Sequence, residues 1–182
     1  MKRASIALFL IFHITIFAFG QNEMLRWSAI TKLTPDDFFI KTKQLETSTS
    51  FGQFIIGFKV NGFDFLTKNF NKKVDNFFIK SASWIDTTAN VAQSLIYQQT
   101  LFDLSEIYAR QFRKALREKR SKILSGTNFT QELNQQYMTE FAKRRIDYDR
   151  ETKYSTDATK QKAWEDQIQK ELTELNGFSY NK

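Results

Sequence analysis

The sequence predicts an α+β domain: a small, mainly antiparallel sheet packed on a buried central helix, followed by two further helices. Three observations point there. Residues 51–84 alternate with the period of strands, residues 94–116 are apolar nearly all round a helix in their first half, and two later stretches carry apolar stripes at helical spacing. The strands come first and the helices after, which is the order of an α+β chain and not of alternating βαβ units.

The chain opens with a pattern expected of an export leader over residues 1–20. Lys2 and Arg3 supply the charged start, an apolar run from Ile6 to Phe19 follows, and Ala18-Phe19-Gly20 offers small residues at the cleavage positions. The run is about 14 residues, short of the roughly 20 that a membrane span needs. Cleavage and a secreted or periplasmic location are therefore expected, with residues 21–182 as a single domain and no span remaining. A retained anchor is the alternative.

Leu25 to Ile30 alternates enough for a short first strand. Thr34-Pro35-Asp36-Asp37 is a helix-start signature, with Thr34 as N-cap, Pro35 in the first turn and acids facing the positive helix end. Residues 42–50 are rich in Ser and Thr and read as a loop. Phe54, Ile56, Phe58 and Val60 then share one strand face, Asn61-Gly62 signals a hairpin, and Phe63 and Phe65 resume beyond it. A further strand places Val74, Asn76, Phe78, Lys80, Ala82 and Trp84 on one face, against Phe77 and Ile79 on the other.

Asp86-Thr87-Thr88 offers caps for the central helix. At 100° per residue Tyr97, Leu101, Leu104 and Tyr108 cluster on one side, while Leu95, Phe102 and Ala109 lie on the far side. Such a helix is expected in the middle of a domain, with the sheet meeting it at Leu95, Phe102 or Tyr97. From Arg113 onward Lys114, Arg117, Lys119, Arg120 and Lys122 make a cationic end that suits the negative pole of the helix and is expected to be solvated. Ser125 to Asn128 closes it. Leu133, Tyr137 and Phe141 form the stripe of the next helix, with Asn128 or Thr130 as its cap. Trp164, Ile168, Leu172 and Leu175 form the stripe of the last, with Thr156 or Asp157 before it and Gly177 after it.

The stretch YQQTLFDLSEIYARQFR resembles the helix of a bacterial family of unknown function described as predicted secreted zinc-dependent proteases. That helix reads roughly H-E-Q-x-H-F-D-I-x-E-x-Y-A-R-K-L-R; Gln99, Phe102, Asp103, Glu106, Tyr108, Ala109, Arg110 and Arg113 match it. The resemblance extends to W…K-L-T-W-D-D-F, matched by Trp27, Lys32, Leu33, Thr34, Asp36, Asp37 and Phe38, with Pro35 departing. It extends also to Y-D-x-E-T-x-H, matched by Tyr148, Asp149, Glu151 and Thr152, and Gln161 to Trp164 echoes a further part of the pattern. It covers the chain from about Trp27 to Trp164 and implies a zincin-like fold.

What departs is the chemistry. The three histidines that the resemblance would place on one zinc ion are Tyr97, Leu101 and Tyr154 here, and the glutamate that would act as base is Gln98. Beyond residue 20 the chain has neither histidine nor cysteine, the sole histidine being His13. Zinc sites are built from those residues, and histidine is the commonest general base. The expectation is an exported non-catalytic relative with no cofactor or metal, a binding or regulatory module of the cell envelope, in which Tyr97, Leu101 and Tyr154 converge as a vestigial site. The alternative is a hydrolase with a carboxylate-only site.

The remaining acids are given structural work: Asp103 and Glu106 as caps or partners of Arg110 and Arg113. A hard-cation site from Asp149 and Glu151 with Asp36 and Asp37 is the competing use. The net charge is +7, two of those charges lying in the leader. A modestly basic exported chain suits an envelope protein or anionic polymer as partner, and disfavours nucleic acid.

Overall fold

The computed structural model describes residues 23–42, 48–59, 70–123 and 128–182. The leader, the hairpin at Asn61-Gly62 with Val60, Phe63 and Phe65, residues 43–47 of the Ser/Thr-rich loop, and residues 124–127 lie outside them. Four strands, β1 (Met24–Arg26), β2 (Ile40–Thr42), β3 (Ser50–Phe58) and β4 (Val74–Asp86), precede the helices α1 (Val91–Glu118), α2 (Arg120–Ile123), α3 (Asn128–Thr152) and α4 (Ala158–Glu174). Short 3-10 turns lie at Pro35–Asp37, Phe70–Lys73 and Asn176–Phe178. The α+β class is as the sequence predicts.

The sheet is built on β4. Along one edge β3 runs antiparallel to it, from Phe58 opposite Val74 to Ser50 opposite Ile85. The other edge is shared by β1, antiparallel with Leu25 opposite Phe78, and β2, parallel with Lys41 opposite Ile85. The sheet is thus mainly antiparallel. One expectation for β4 fails: Ala82 is exposed and Trp84 only half-buried, while Ser83 and Ile85 face the core. The cause is a bulge. β3 advances from Phe51 to Gln53 while its partners on β4 jump from Trp84 to Ile79, and the extra residues invert which side chains face inward. Ser83 fills the irregularity, its hydroxyl donating to the Ile79 carbonyl at 2.6 Å and accepting from the Gln53 N–H at 3.1 Å.

α1 is covered on several sides, and every residue from Thr100 to Arg110 is buried. Phe102 meets the sheet, its ring 5.4 Å from Phe54 and 6.0 Å from Phe78. Tyr108 meets Phe141 of α3 at 6.1 Å, and Arg110 donates to the Leu172 carbonyl of α4. Of the three residues expected to touch the sheet, Phe102 does so; Tyr97 turns to α3, and Leu95 lines a cavity with α4 residues. Burying an aromatic side chain of this size is worth about 1.5–3 kcal/mol.

Several boundaries are corrected by local chemistry. Thr34 to Asp37 makes one 3-10 turn and no longer helix; the Asp37 carboxylate accepts from the Thr34 N–H and hydroxyl, both at 2.9 Å. β1 stops at Arg26, because the Ser28 hydroxyl accepts from the Ile30 and Thr31 N–H groups and folds the chain into a turn. α1 is capped by Asn90, whose side chain accepts from the Gln93 N–H, while Asp86 caps a turn at Thr88 instead. Asp157 caps α4 through the Lys160 N–H, and α4 ends at Glu174 with Leu175 as its C-cap and Gly177 in the 3-10 turn beyond. α3 begins at Asn128, and Thr130 is buried in its first turn. The short α2 was not foreseen.

Arg113 leaves the expected cationic face altogether. It is fully buried, donates to the Val74 carbonyl at 2.9 Å and to the Phe178 carbonyl at 3.1 Å, and pairs with Glu106 at 2.7 Å. Lys114, Arg117, Lys119, Arg120 and Lys122 remain exposed. Among the described residues no helix is long and apolar enough to cross a membrane.

Candidate functional site

Tyr97 projects from the first half of α1 toward α3 and is 4% exposed. Its ring stacks on Tyr148, centroids 5.3 Å apart and planes 15° from parallel. Its hydroxyl donates to the Asp149 carboxylate, and Arg145 stands one helical turn back with Nε 3.8 Å from the same carboxylate. Burial, and then the carboxylate beside it, push the Tyr97 phenol far above its ordinary pKa. Burial also raises Asp149, against the opposing pull of Tyr97 and Arg145. The phenol is therefore fixed as a proton donor and does not ionise at any physiological pH.

Tyr154 arrives from the turn after α3. Lys153, Tyr154 and Ser155 all take positive φ, at 50°, 56° and 69°. The left-handed region costs a non-glycine residue about 1–2 kcal/mol. The run is held by the Tyr154 N–H on the Asp149 carbonyl at 3.0 Å, the Ser155 N–H on the Thr152 hydroxyl at 3.2 Å, and Gln93 of α1 on the Ser155 carbonyl. This turn brings the Tyr154 ring edge-on to Tyr97, centroids 6.4 Å apart, while leaving it 47% exposed.

The other two positions are both fully buried. Leu101, one turn beyond Tyr97, is fully buried in the core. Gln98 is fully buried against β3, where its Nε2 donates to the Ser50 hydroxyl at 3.0 Å and its Oε1 has no hydrogen-bond partner. Gly52 makes this approach possible: a Cβ there would stand 2.8 Å from Phe54 Cζ and press on the Gln98 amide. Tyr97 and Tyr154 thus come together and Leu101 shares the helix of Tyr97, while Gln98 belongs to the sheet side.

The acids divide as follows. Glu106 is buried and pairs with Arg110 at 3.1 Å and Arg113 at 2.7 Å, and it accepts from Asn76 at 3.3 Å, the structural role expected of it. Asp103 does not pair with either arginine. It accepts from the Trp27 indole at 2.7 Å, Gln99 at 2.9 Å and Gln169 at 3.1 Å, with Lys32 at 3.8 Å. The hard-cation grouping is not formed. Asp149 is committed to Tyr97, Glu151 accepts from the Trp164 indole at 3.0 Å, and Asp37 pairs with Lys80 at 2.6 Å. Among the described residues no three of His, Cys, Asp and Glu gather.

Sequence reasoning missed the setting of Tyr97: Arg145, Tyr148, Gln93 and Gln161. The Tyr148 hydroxyl donates to Gln161 at 2.7 Å, which in turn donates to Thr100 of α1 at 3.0 Å. The advance signals were Arg145 and Asp149 at i, i+4 and the places of Tyr148 and Gln161 within the resembling motifs. Comparison with protein-family models, with curated proteins and with solved structures finds no match for this chain.

Proposed function

We propose that this chain is an exported, zincin-like, non-catalytic relative of the predicted secreted zinc-dependent protease family, working as a binding or regulatory module of the cell envelope. The observation that supports the reading is the meeting of Tyr97 and Tyr154. They stand where the resemblance places the first and third histidines, on elements far apart in sequence, and a strained turn is maintained to deliver the second of them. Phenol packing and a Tyr97–Asp149 hydrogen bond occupy the place where imidazoles would converge.

The chemistry of the residues agrees with a loss of catalysis. Tyr97 is held protonated, Leu101 offers no ligand atom, and a glutamine at position 98 cannot take a proton from water at neutral pH. Carboxylates alone favour harder ions than zinc.

The test is the metal content and peptidase activity of purified protein prepared without chelator. The expected result is far less than one zinc per chain and no cleavage of unstructured substrates. Stoichiometric zinc, removable with loss of an activity, overturns the reading.

A further inference from the structure

A separate cavity of about 480 Å³ lies between α1, α4 and the segment ahead of the first 3-10 turn. It faces the side of α1 that carries Leu95, Gln99 and Asp103; Asp103 stands about 120° round the helix from Tyr97. Its size is that of a small-molecule site.

Three features of its wall select a ligand. Leu33, Leu95 and Ile96 make an aliphatic side, and Ile96 is 49% exposed although large and apolar. Asp103 lines the same space, buried, with neutral donors from Trp27, Gln99 and Gln169 at hydrogen-bond distance. The cation that the structure gives it, Lys32, stands 3.8 Å away on a side chain 53% exposed. A cation in close contact attracts a buried carboxylate more strongly than one held at a distance on an exposed side chain. Glu165 and Asp166 add negative charge to the opposite wall, where Lys162 is already tied to Asp166.

We propose that this cavity binds a primary aliphatic amine, with the ammonium on Asp103 and the carbon chain along Leu33, Leu95 and Ile96. The ammonium takes at short range the place that Lys32 holds loosely, and Lys32 swings to solvent. An alkyl stem of four or five carbons gives up its water contact against the three aliphatic side chains. The same chemistry is presented by a free amine and by the lysine side chain of a peptide. The site is independent of the Tyr97–Tyr154 reading.

The experiment is a titration of the purified protein with 1-aminopentane, 1-pentanol and Nα-acetyl-lysine amide, followed by calorimetry and by the side-chain amide and indole NMR signals of Gln99, Gln169 and Trp27. The amine shifts those signals and the alcohol does not. Asp103→Asn weakens amine binding by about tenfold or more, as loss of a desolvated charge partner does. Lys32→Met, at an exposed position that does not threaten folding, tightens it by about threefold or more, because a competing cation is gone. A structural role for Asp103 gives no such tightening. Binding of either amine supports the site, and whichever binds more tightly names the source. Equal response to amine and alcohol, no binding of any amine, or unchanged or weaker affinity in Lys32→Met overturns the proposal.

Discussion

Tyr97 and Tyr154 meet edge to face at 6.4 Å, one from the middle of the chain and the other from three consecutive residues in the left-handed region. Tyr97 also carries the stack on Tyr148 and the hydrogen bond to Asp149, and the turn after α3 meets α1 through this ring and through Gln93 on the Ser155 carbonyl.

If the turn stores strain, glycine should relieve it. Lys153→Gly replaces an exposed residue at φ 50° and should stabilise the protein by about 0.4–1 kcal/mol, measured by urea unfolding. The gain is what remains after glycine's larger unfolded-state entropy. A loss of stability contradicts the strain.

Asp149 sets a pH dependence. Burial raises its carboxyl above the ordinary 3.8. The native state then holds the proton more tightly than the unfolded chain, so this contribution to stability is complete below 3.8 and is lost as pH rises through the folded value. Asp37 and Glu171 end below their ordinary values, because Lys80 with the Thr34 donors, and Arg144, outweigh burial. They contribute in the opposite sense, so the comparison is with Asp149→Asn. The parent should lose ground to the variant as pH rises above 3.8. Parent stability that gains on the variant over that range contradicts the assignment.

Gly52→Ala should destabilise by about 1–3 kcal/mol, the usual penalty of overpacking a core. The added methyl meets Phe54, Phe78 and the Gln98 amide. Adding Gln98→Ala in the same chain should recover part of the loss in a double-mutant cycle; strict additivity means that the two residues do not press on each other.

Glu106→Ala should cost about 3–5 kcal/mol, because it strands two buried guanidinium groups. Both Arg110 and Arg113 rest on this one carboxylate. A loss under about 1 kcal/mol, the range of surface pairs, contradicts the pairing.

The sequence made α1 legible because a helix apolar nearly all round has nowhere to be but the interior. Phe102 against the sheet and Phe141 against Tyr108 follow from that. The inversion of β4 at Ser83 was not legible, since a bulge leaves no trace in a period-two pattern until the partner strand is known. Arg113 was misplaced because a cation near a helix end is explained equally well by solvent, and only the Val74 and Phe178 carbonyls brought to it by distant chain segments bury it. At the candidate site the motif spacing brought Tyr97 and Tyr154 to attention, but Arg145, Tyr148 and the Asp149 acceptor needed the packing of α3 on α1.

The most direct measurement is zinc binding by a chain carrying Tyr97→His, Gln98→Glu, Leu101→His and Tyr154→His together, titrated beside the parent and each single histidine variant. If the backbone around Tyr97 and Tyr154 is that of a zinc site whose ligands have been replaced, the combined variant binds zinc at one per chain and the parent and single variants do not. A combined variant that stays folded, with the helical content of the parent, and still binds no zinc contradicts the account.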